Sequence, residues 1–235
     1  MSGKFRPEVN SRLRQDLSMI QKPEVIREAS GIIINGQRFK SFIYSTDVAT
    51  IAYTNADGVL AVYPFTPSSN IIQAIRTASQ VPILAGVGGG VTSGSRSANM
   101  AMFAESIGAM GVVVNAQTTV ETLEMINEVC DIPIVYTVIS EYTDIEKRLK
   151  AGVQILNVSG GRETNELVKK IRKSYPEIPI IATGGKKEEN ILATIQAGAN
   201  AISFTPPSSS EIFQSKMETY RDRMDIKYED SNFEI

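Results

Sequence analysis

Residues 178–213 read IPIIATGGKKEENILATIQAGANAISFTPPSSSEIF. The pattern predicts a buried strand that ends in Gly184 and Gly185, then a helix, then a second buried strand that ends in Thr205. In a parallel α/β protein, neighbouring strands that end in glycine and hydroxyl residues leave backbone N–H groups uncovered beside a helix N-terminus. This arrangement suits an anion, and a phosphate group is the expected ligand.

The same unit of strand and helix occurs eight times along the chain. Three of the strands are introduced by proline: VPILAGVGGG at 81–90, IPIVYTVIS at 132–140 and IPIIATGG at 178–185. Four follow a helix-ending glycine or an Asp-Gly pair: DGVLAVYPF at 57–65, GAMGVVVNA at 108–116, GVQILNVSGG at 152–161 and GANAISFT at 198–205. The first strand, FKSFIYST at 39–46, completes the set.

Amphipathic segments of helical length lie between these strands, and one more follows the last strand. Continuous apolar strands that alternate with such helices predict a parallel sheet covered by helices. Eight units in about 200 residues fit a closed α/β fold, the (β/α)8 TIM barrel. The alternative is an open doubly wound sheet, which would bind its ligand after the first strand or near the middle of the sheet. The predicted anion site lies in units seven and eight, which favours the barrel.

Length and composition predict a single domain. The chain has 235 residues, of which 42% are hydrophobic and 21% are charged, as in an ordinary globular protein. We expect a cap of short N-terminal helices at 1–38, the barrel at 39–224 and an acidic tail at 225–235. The tail is interpreted as a frayed end or an oligomer contact, so a homo-oligomer stays open.

Charge and hydropathy exclude several partners. The net charge of -2 and the absence of a dense Lys/Arg run argue against nucleic acid or an anionic membrane as the main partner. No run approaches the roughly 18 apolar residues of a membrane span, and the N-terminus lacks the apolar core of a signal peptide. We therefore expect a cytoplasmic protein. Its single cysteine, Cys130, is interpreted as a small buried hydrophobic residue.

The chain contains no histidine, which excludes histidine-dependent nucleophiles, metal sites and acid/base chemistry. Proton transfer must then use carboxylates, Tyr, Lys or water. Asp47 and Glu141 follow the first and fifth strands, which face each other across a barrel, so they are the predicted catalytic base and acid. As alternatives, Asp47 would cap the next helix and Glu141 would lie in the first turn of its helix. No metal ligands and no required cofactor are predicted.

Other polar residues at strand ends are candidates for substrate contact. Asn115 and Asn157 each close an otherwise apolar strand, where a ligand or a mutual hydrogen bond would satisfy a buried amide, and Thr183 at the end of the seventh strand is a third candidate. The glycine-rich loop at 86–99, with Gly88 and Gly89, is either a lid over a ligand or a long surface loop. This loop lacks the third glycine of G-x-G-x-x-G, so a nicotinamide cofactor is not expected.

Residues 178–213 resemble the phosphate-binding half of (β/α)8 barrels of the ribulose-phosphate-binding type. The resemblance implies that backbone N–H groups after strands six, seven and eight hold a phosphate. The matching positions here are Ser159, Gly160, Gly161, Gly184, Gly185, Thr205, Ser208 and Ser209, since Pro206 and Pro207 cannot donate. The histidine-biosynthesis isomerases of this type carry carboxylates on strands one and five. They also have related strands four apart, as VPILAGVGGG and IPIIATGG are in this chain, which implies a second anion site at Gly88 to Gly90.

Three functions follow from these observations. The first is an isomerase, epimerase or lyase that acts on a small phosphorylated metabolite through Asp47 and Glu141, with that metabolite or inorganic phosphate as its partner. The second is a sensor without chemistry, similar to the glycerol-phosphate responsive antiterminators. The third is a flavin enzyme, because barrels that resemble this one also hold the phosphate of FMN after strands seven and eight.

Overall fold

The computed structural model describes residues 7, 9, 19–89, 91–185 and 187–232. An antiparallel hairpin comes first, formed by β1 (Ile32–Ile34) and β2 (Gln37–Phe39). Eight parallel strands then close into a barrel: β3 (Ser41–Tyr44), β4 (Gly58–Ala61), β5 (Ile83–Gly88), β6 (Gly111–Val114), β7 (Ile134–Val138), β8 (Val153–Val158), β9 (Ile180–Thr183) and β10 (Ala201–Phe204). Each pairs with the next, and β10 pairs with β3. The predicted (β/α)8 TIM barrel is therefore confirmed.

Each barrel strand is followed by a helix: α1 (Val48–Ala52), α2 (Ser69–Ala78), α3 (Ser95–Ser106), α4 (Val120–Val129), α5 (Ile145–Lys150), α6 (Thr164–Ser174), α7 (Glu188–Gln196) and α8 (Ser209–Asn232). Helix α8 continues through residues 225–232, so this part of the predicted acidic tail is helical. Within the described residues, no helix has the length and apolar composition needed to cross a membrane.

The described part of the predicted N-terminal cap is not purely helical, which corrects that prediction. A short 3-10 helix at Glu24–Glu28 is followed by the hairpin, whose turn residues Asn35 and Gly36 have φ angles of 49° and 79°. Two left-handed residues in a two-residue turn are the geometry that Asn-Gly favours, because it matches the twist of the strands. The part of the predicted cap before residue 19 lies outside the described residues, apart from residues 7 and 9.

The hairpin closes the amino-terminal end of the barrel. Its Phe39 is buried and stacks on Phe42 of β3, with ring centroids 5.8 Å apart. Ile32 and Ile34 join the same apolar cluster. Burial of these side chains under the barrel explains why the chain forms a hairpin here, since an isolated two-stranded hairpin is only marginally stable in water.

Side chains alternate between the inside and the outside of the barrel, as the period of a strand requires. One apolar interior layer takes a residue from each strand: Phe42, Leu60, Leu84, Val113, Val135, Ile155, Ile181 and Ala201. The residues two positions later form the layer at the carboxyl-terminal mouth: Tyr44, Val62, Gly86, Asn115, Thr137, Asn157, Thr183 and Ser203. From β6 to β10 this second layer is polar, so a polar wall faces any ligand in the mouth.

Candidate functional site

Asn157 is a buried polar residue at the mouth with an incomplete set of hydrogen bonds. It is 6% exposed, and its Nδ2 donates to Thr137 Oγ1 at 3.3 Å. Its Oδ1 is buried and has no hydrogen-bond partner among the described residues. A buried acceptor without a donor costs about 1–3 kcal/mol. The predicted role of Asn157 in substrate contact is therefore the one that this geometry favours, since a ligand hydroxyl or amino group would complete the set.

Thr183 extends the polar wall toward the loop after β8. Its Oγ1 donates to Ser159 Oγ at 3.2 Å, and its backbone lies in register with Ser203 of β10. The structure thus brings together two predicted site residues, Ser159 and Thr183, from neighbouring strand ends. Their hydroxyl groups lie directly before the two glycine pairs that the resemblance assigns to phosphate.

Gly160 and Gly161 form a backbone geometry that is suited to an anion. Gly160 has φ -86° and ψ 13°, close to right-handed, and Gly161 has φ 63°, which is left-handed. Successive residues of opposite hand can turn their N–H groups toward one concave side, the arrangement known as an anion-binding nest. The turn is closed by a hydrogen bond from Glu163 N to Gly160 O at 3.2 Å. We call Gly160 to Arg162 the nest.

The nest is open and carries a positive charge at its end. A Cβ added to Gly161 would meet nothing within 4 Å, so glycine is favoured here by its φ angle and not by close packing. Arg162 is exposed and makes no ion pair with any other described residue. Helix α6 begins at Thr164, and its first turn adds the positive end of a helix dipole.

The two glycines of the second pair, Gly184 and Gly185, have different roles. Gly184 N donates to Ser203 O at 3.0 Å, and an added Cβ would lie 2.7 Å from Ile202 Cγ2 and 2.8 Å from Ile191 Cγ1. Gly184 is therefore a packing residue whose amide is already used. Gly185 is exposed, has φ 73° and borders the largest cavity of the mouth.

The loop after β10 presents carboxylates where the resemblance implies phosphate. Ser208 and Glu211 form a capping box at the start of α8: Ser208 N and Oγ donate to Glu211 Oε2 at 2.7 and 2.8 Å, and Glu211 N donates to Ser208 Oγ at 3.2 Å. Ser209 Oγ donates to Asp47 Oδ2. Thr205 is exposed and borders the cavity. The hydroxyl groups of Ser208 and Ser209 therefore already donate to carboxylates, which disfavours their donation to a phosphate at this loop.

Asp47 is the N-cap of α1, so the capping interpretation is confirmed. Its Oδ1 accepts from Thr50 N at 2.9 Å. The hydrogen bond from the Ser209 hydroxyl, together with that from the Thr50 amide, lowers the pKa of Asp47 below its ordinary value. A carboxylate with a lowered pKa stays ionised and is a weak general base near neutral pH.

Glu141 lies in a different part of the mouth. It is exposed and pairs with Lys170 of α6, in a surface cavity of about 330 Å³ that also contacts Gly160. Helix α5 begins at Ile145 and is capped by Asp144, so the alternative that places Glu141 in its first turn is wrong. Asp47 borders another cavity. The structure does not bring the predicted base and acid into one cavity.

The largest cavity of the mouth has a volume of about 740 Å³. It extends from Tyr44 and Asp47 to Gly185 and the loop after β10. A smaller cavity of about 150 Å³ adjoins it through Val62 and Tyr63. Together these spaces accommodate a small organic ligand, and Asn115 of the polar wall borders the smaller one.

Gly88, Gly89 and Asn115 line the smaller cavity and are held by packing. Gly89 has φ 106°, and an added Cβ would lie 2.0 Å from Asn115 Oδ1. Gly89 N donates to Thr92 O at 2.7 Å, and Asn115 Oδ1 accepts from Gln117 N at 3.0 Å. These groups are satisfied within the protein, which disfavours the implied second anion site. Gly90, its third residue, lies outside the described residues.

Among the described residues, no group of three or more Asp, Glu, Cys or His side chains is placed to hold a metal ion. Cys130 is buried, and burial raises the pKa of its thiol.

No protein-family model and no curated protein sequence matches the chain. Solved structures do match. A mandelate oxidase gives a TM-score of 0.60 and 14% identity over 75% of this chain and 68% of that one. A phosphonopyruvate hydrolase, solved with oxalate and Mg²⁺, gives 0.56 and 12% over 83% of each chain. A phosphoenolpyruvate phosphomutase from Streptomyces platensis subsp. rosaceus gives 0.55 and 10% over 82% and 84%.

At these identities the likeness shows the shared fold. It places the chain among TIM-barrel proteins, and none of the three is named as a barrel of the ribulose-phosphate-binding type. That narrower resemblance stays a prediction from the sequence.

Proposed function

We propose that this protein binds a small phosphorylated metabolite at the carboxyl-terminal mouth of the barrel. The phosphate binds at the nest, and a hydroxyl or amino group of the carbon skeleton donates to Asn157 Oδ1. The observation that carries the proposal is the left-handed Gly161 after Gly160, four residues beyond the unsatisfied buried amide of Asn157 on the same strand end. One strand end thus offers an anion site and an acceptor.

The leading form of this proposal is an enzyme that isomerises, epimerises or cleaves its substrate. Two structural neighbours, a phosphonopyruvate hydrolase and a phosphoenolpyruvate phosphomutase, are named for phosphorus-containing substrates. Glu141 lines the same cavity as Gly160 of the nest and is the predicted catalytic carboxylate that a bound skeleton would approach, while Asp47 borders the separate large cavity. Binding at the nest would orient the skeleton toward Glu141, since remote binding energy positions the reacting group.

The second candidate is a sensor that binds the same ligand without turnover. It is supported by the engagement of both predicted catalytic carboxylates in structural contacts, Asp47 as a helix cap and Glu141 with Lys170. Ligand turnover separates the two candidates: each bound phosphate ester is incubated with the protein, and a new product resolved by phosphorus NMR favours the enzyme. FMN is included among the ligands tested, because its phosphate would bind at the same site.

Substitutions at Gly161 test the phosphate site. Asp and Asn have the same shape and both tolerate left-handed φ, so Gly161→Asn keeps the nest while Gly161→Asp adds a negative charge beside the anion. A unit charge about 5 Å from a dianion opposes binding by roughly 1.7 kcal/mol even at the dielectric of water. We expect Gly161→Asp to weaken binding at least about tenfold and Gly161→Asn to change it little.

The matched control is Gly36→Asp in the hairpin turn. Gly36 also has a left-handed φ, of 79°, and nothing within 4 Å of an added Cβ, but it lies at the other end of the barrel. Affinity for sugar phosphates, glycerol phosphates and inorganic phosphate is measured by isothermal titration calorimetry. Equal affinities in Gly161→Asp and Gly36→Asp would overturn the assignment of the phosphate to the nest.

A further inference from the structure

A second cavity with a strong charge bias lies at the amino-terminal end of the barrel, away from the mouth. Its volume is about 380 Å³, and its lining is Lys22, Ile26, Arg27, Arg38, Lys40 and Asp57. Four cationic side chains thus share the cavity with one carboxylate. No run of Lys and Arg in the sequence predicts this cluster, because the fold brings its residues together from the 3-10 helix, the hairpin and the starts of β3 and β4.

Asp57 is fully engaged and does not neutralise the cluster. Its carboxylate accepts from Lys22 Nζ at 2.6 Å and from the backbone N–H groups of Lys40 and Ser41 at 2.8 and 3.0 Å. Burial opposes its ionisation, but these hydrogen bonds and the charge of Lys22 outweigh burial and lower the pKa of Asp57. Its charge is therefore committed to Lys22.

Arg38 and Lys40 keep their positive charges without a carboxylate partner among the described residues. Arg38 Nε donates to Ser30 O at 2.7 Å, and Lys40 Nζ donates to Arg27 O. Both partners are neutral carbonyl groups. Arg27 is different, because it forms ion pairs at 3.4 Å with the exposed residues Glu24 and Glu28. Two positive charges in the cavity are therefore without a carboxylate partner among the described residues.

The Arg38 side chain is held in place by its neighbour in space. Gly31 has φ 84°, and a Cβ added there would lie 2.7 Å from Arg38 Cγ and 2.8 Å from Nε. The glycine thus leaves the room that the arginine stem occupies, and the Ser30 carbonyl fixes one edge of the guanidinium. Such ordering lowers the entropy that an arginine loses when it binds an oxyanion.

We propose that this amino-terminal cavity is a binding site for a small polyanion of the pyrophosphate class, with Arg38 and Lys40 as its ligands. Two cations on one cavity match an ion with two linked oxyanion groups. The exposed Glu24 and Glu28 beside Arg27 would repel a long polyanion, which restricts the ligand to a small one. The site is separate from the mouth, so it stands whether or not the mouth binds a phosphorylated metabolite.

The experiment is a calorimetric titration with pyrophosphate in the Gly161→Asp background, which silences the nest. The test variant adds Arg38→Gln and Lys40→Gln. The matched control adds Lys169→Gln and Lys173→Gln, which remove the same charge from an exposed part of α6. We expect the test variant to weaken pyrophosphate binding at least about tenfold and the control to change it less than about twofold.

Equal weakening by the two double variants, or unchanged binding in the test variant, would overturn the site. Circular dichroism checks that each variant folds. If the test variant does not fold, Lys40→Gln alone replaces it, because its backbone N–H still serves Asp57. A loss of affinity in that single variant supports the site, and wild-type affinity refutes it. Failure of the nest would instead appear as equal phosphate binding in Gly161→Asp and Gly36→Asp.

Discussion

Replacement of Asn157 by leucine should stabilise the free protein and abolish binding of the metabolite. The variant removes a buried Oδ1 that has no described partner, which should return about 1–3 kcal/mol. It also loses the Nδ2 hydrogen bond to Thr137, which at 3.3 Å is long and contributes at most about 1 kcal/mol. The side chains have similar volumes, so the barrel should not repack. The net gain is about 1 kcal/mol, or roughly 2–4 °C in Tm for a chain of this length.

Urea unfolding of both proteins gives the free energies, with equal m-values as the check that only stability changed. The control is Asn200→Leu, because Asn200 is fully bonded: Oδ1 accepts from Arg172 Nη2 at 2.8 Å and from Ile180 N at 3.0 Å, and Nδ2 donates to Ser30 Oγ at 2.9 Å. That substitution should cost about 2–4 kcal/mol. If Asn157→Leu is destabilised as much as Asn200→Leu, the Asn157 amide is satisfied in the free protein and the argument for a ligand there fails.

Two further predictions concern stability. The pKa of Asp57 is lowered on folding, so its stabilisation is complete above the ordinary value of about 4 and is lost as the pH falls below it. Asp57→Asn should cost about 1–3 kcal/mol at pH 7 and flatten acid unfolding, and an unchanged acid limb in circular dichroism would contradict this. Gly89→Ala should cost about 3 kcal/mol, because the new Cβ meets Asn115 Oδ1 at 2.0 Å, whereas Gly36→Ala should cost about 1 kcal/mol. Equal unfolding midpoints of these two variants would refute the packing role of Gly89.

The barrel was predictable because its signals are local and repeated. Seven of the eight strands contain an apolar run introduced by proline, by a helix-ending glycine or by an Asp-Gly pair, and eight units of strand and helix leave few alternatives to closure. The hairpin at Ile32–Phe39 was missed although Asn35-Gly36 between two apolar runs is a strong hairpin signal. Its strands have only three residues each, and the burial that stabilises them comes from Phe42 of the barrel.

The site was harder to predict because strand ends show which residues meet, but not what they already bind. Asp47 and Ser209 are 162 positions apart, and their hydrogen bond turns a candidate catalytic group into a structural cap. The alternation of the strands does predict the polar layer, since Thr137 and Ser203 lie two positions after interior apolar residues. Gly160 and Gly161 were assigned to phosphate through resemblance. The nest itself depends on their backbone angles, which the residue types alone do not determine.

The central claim is that phosphate binds at the nest, and amide NMR tests it most directly. A deuterated, nitrogen-labelled sample is titrated with inorganic phosphate while the backbone N–H signals of Gly160, Gly161 and Arg162 are followed. The account predicts saturable shifts of these three signals, with no shift for Gly89, whose N–H already donates to Thr92 O. Unchanged nest signals at saturating phosphate would contradict it.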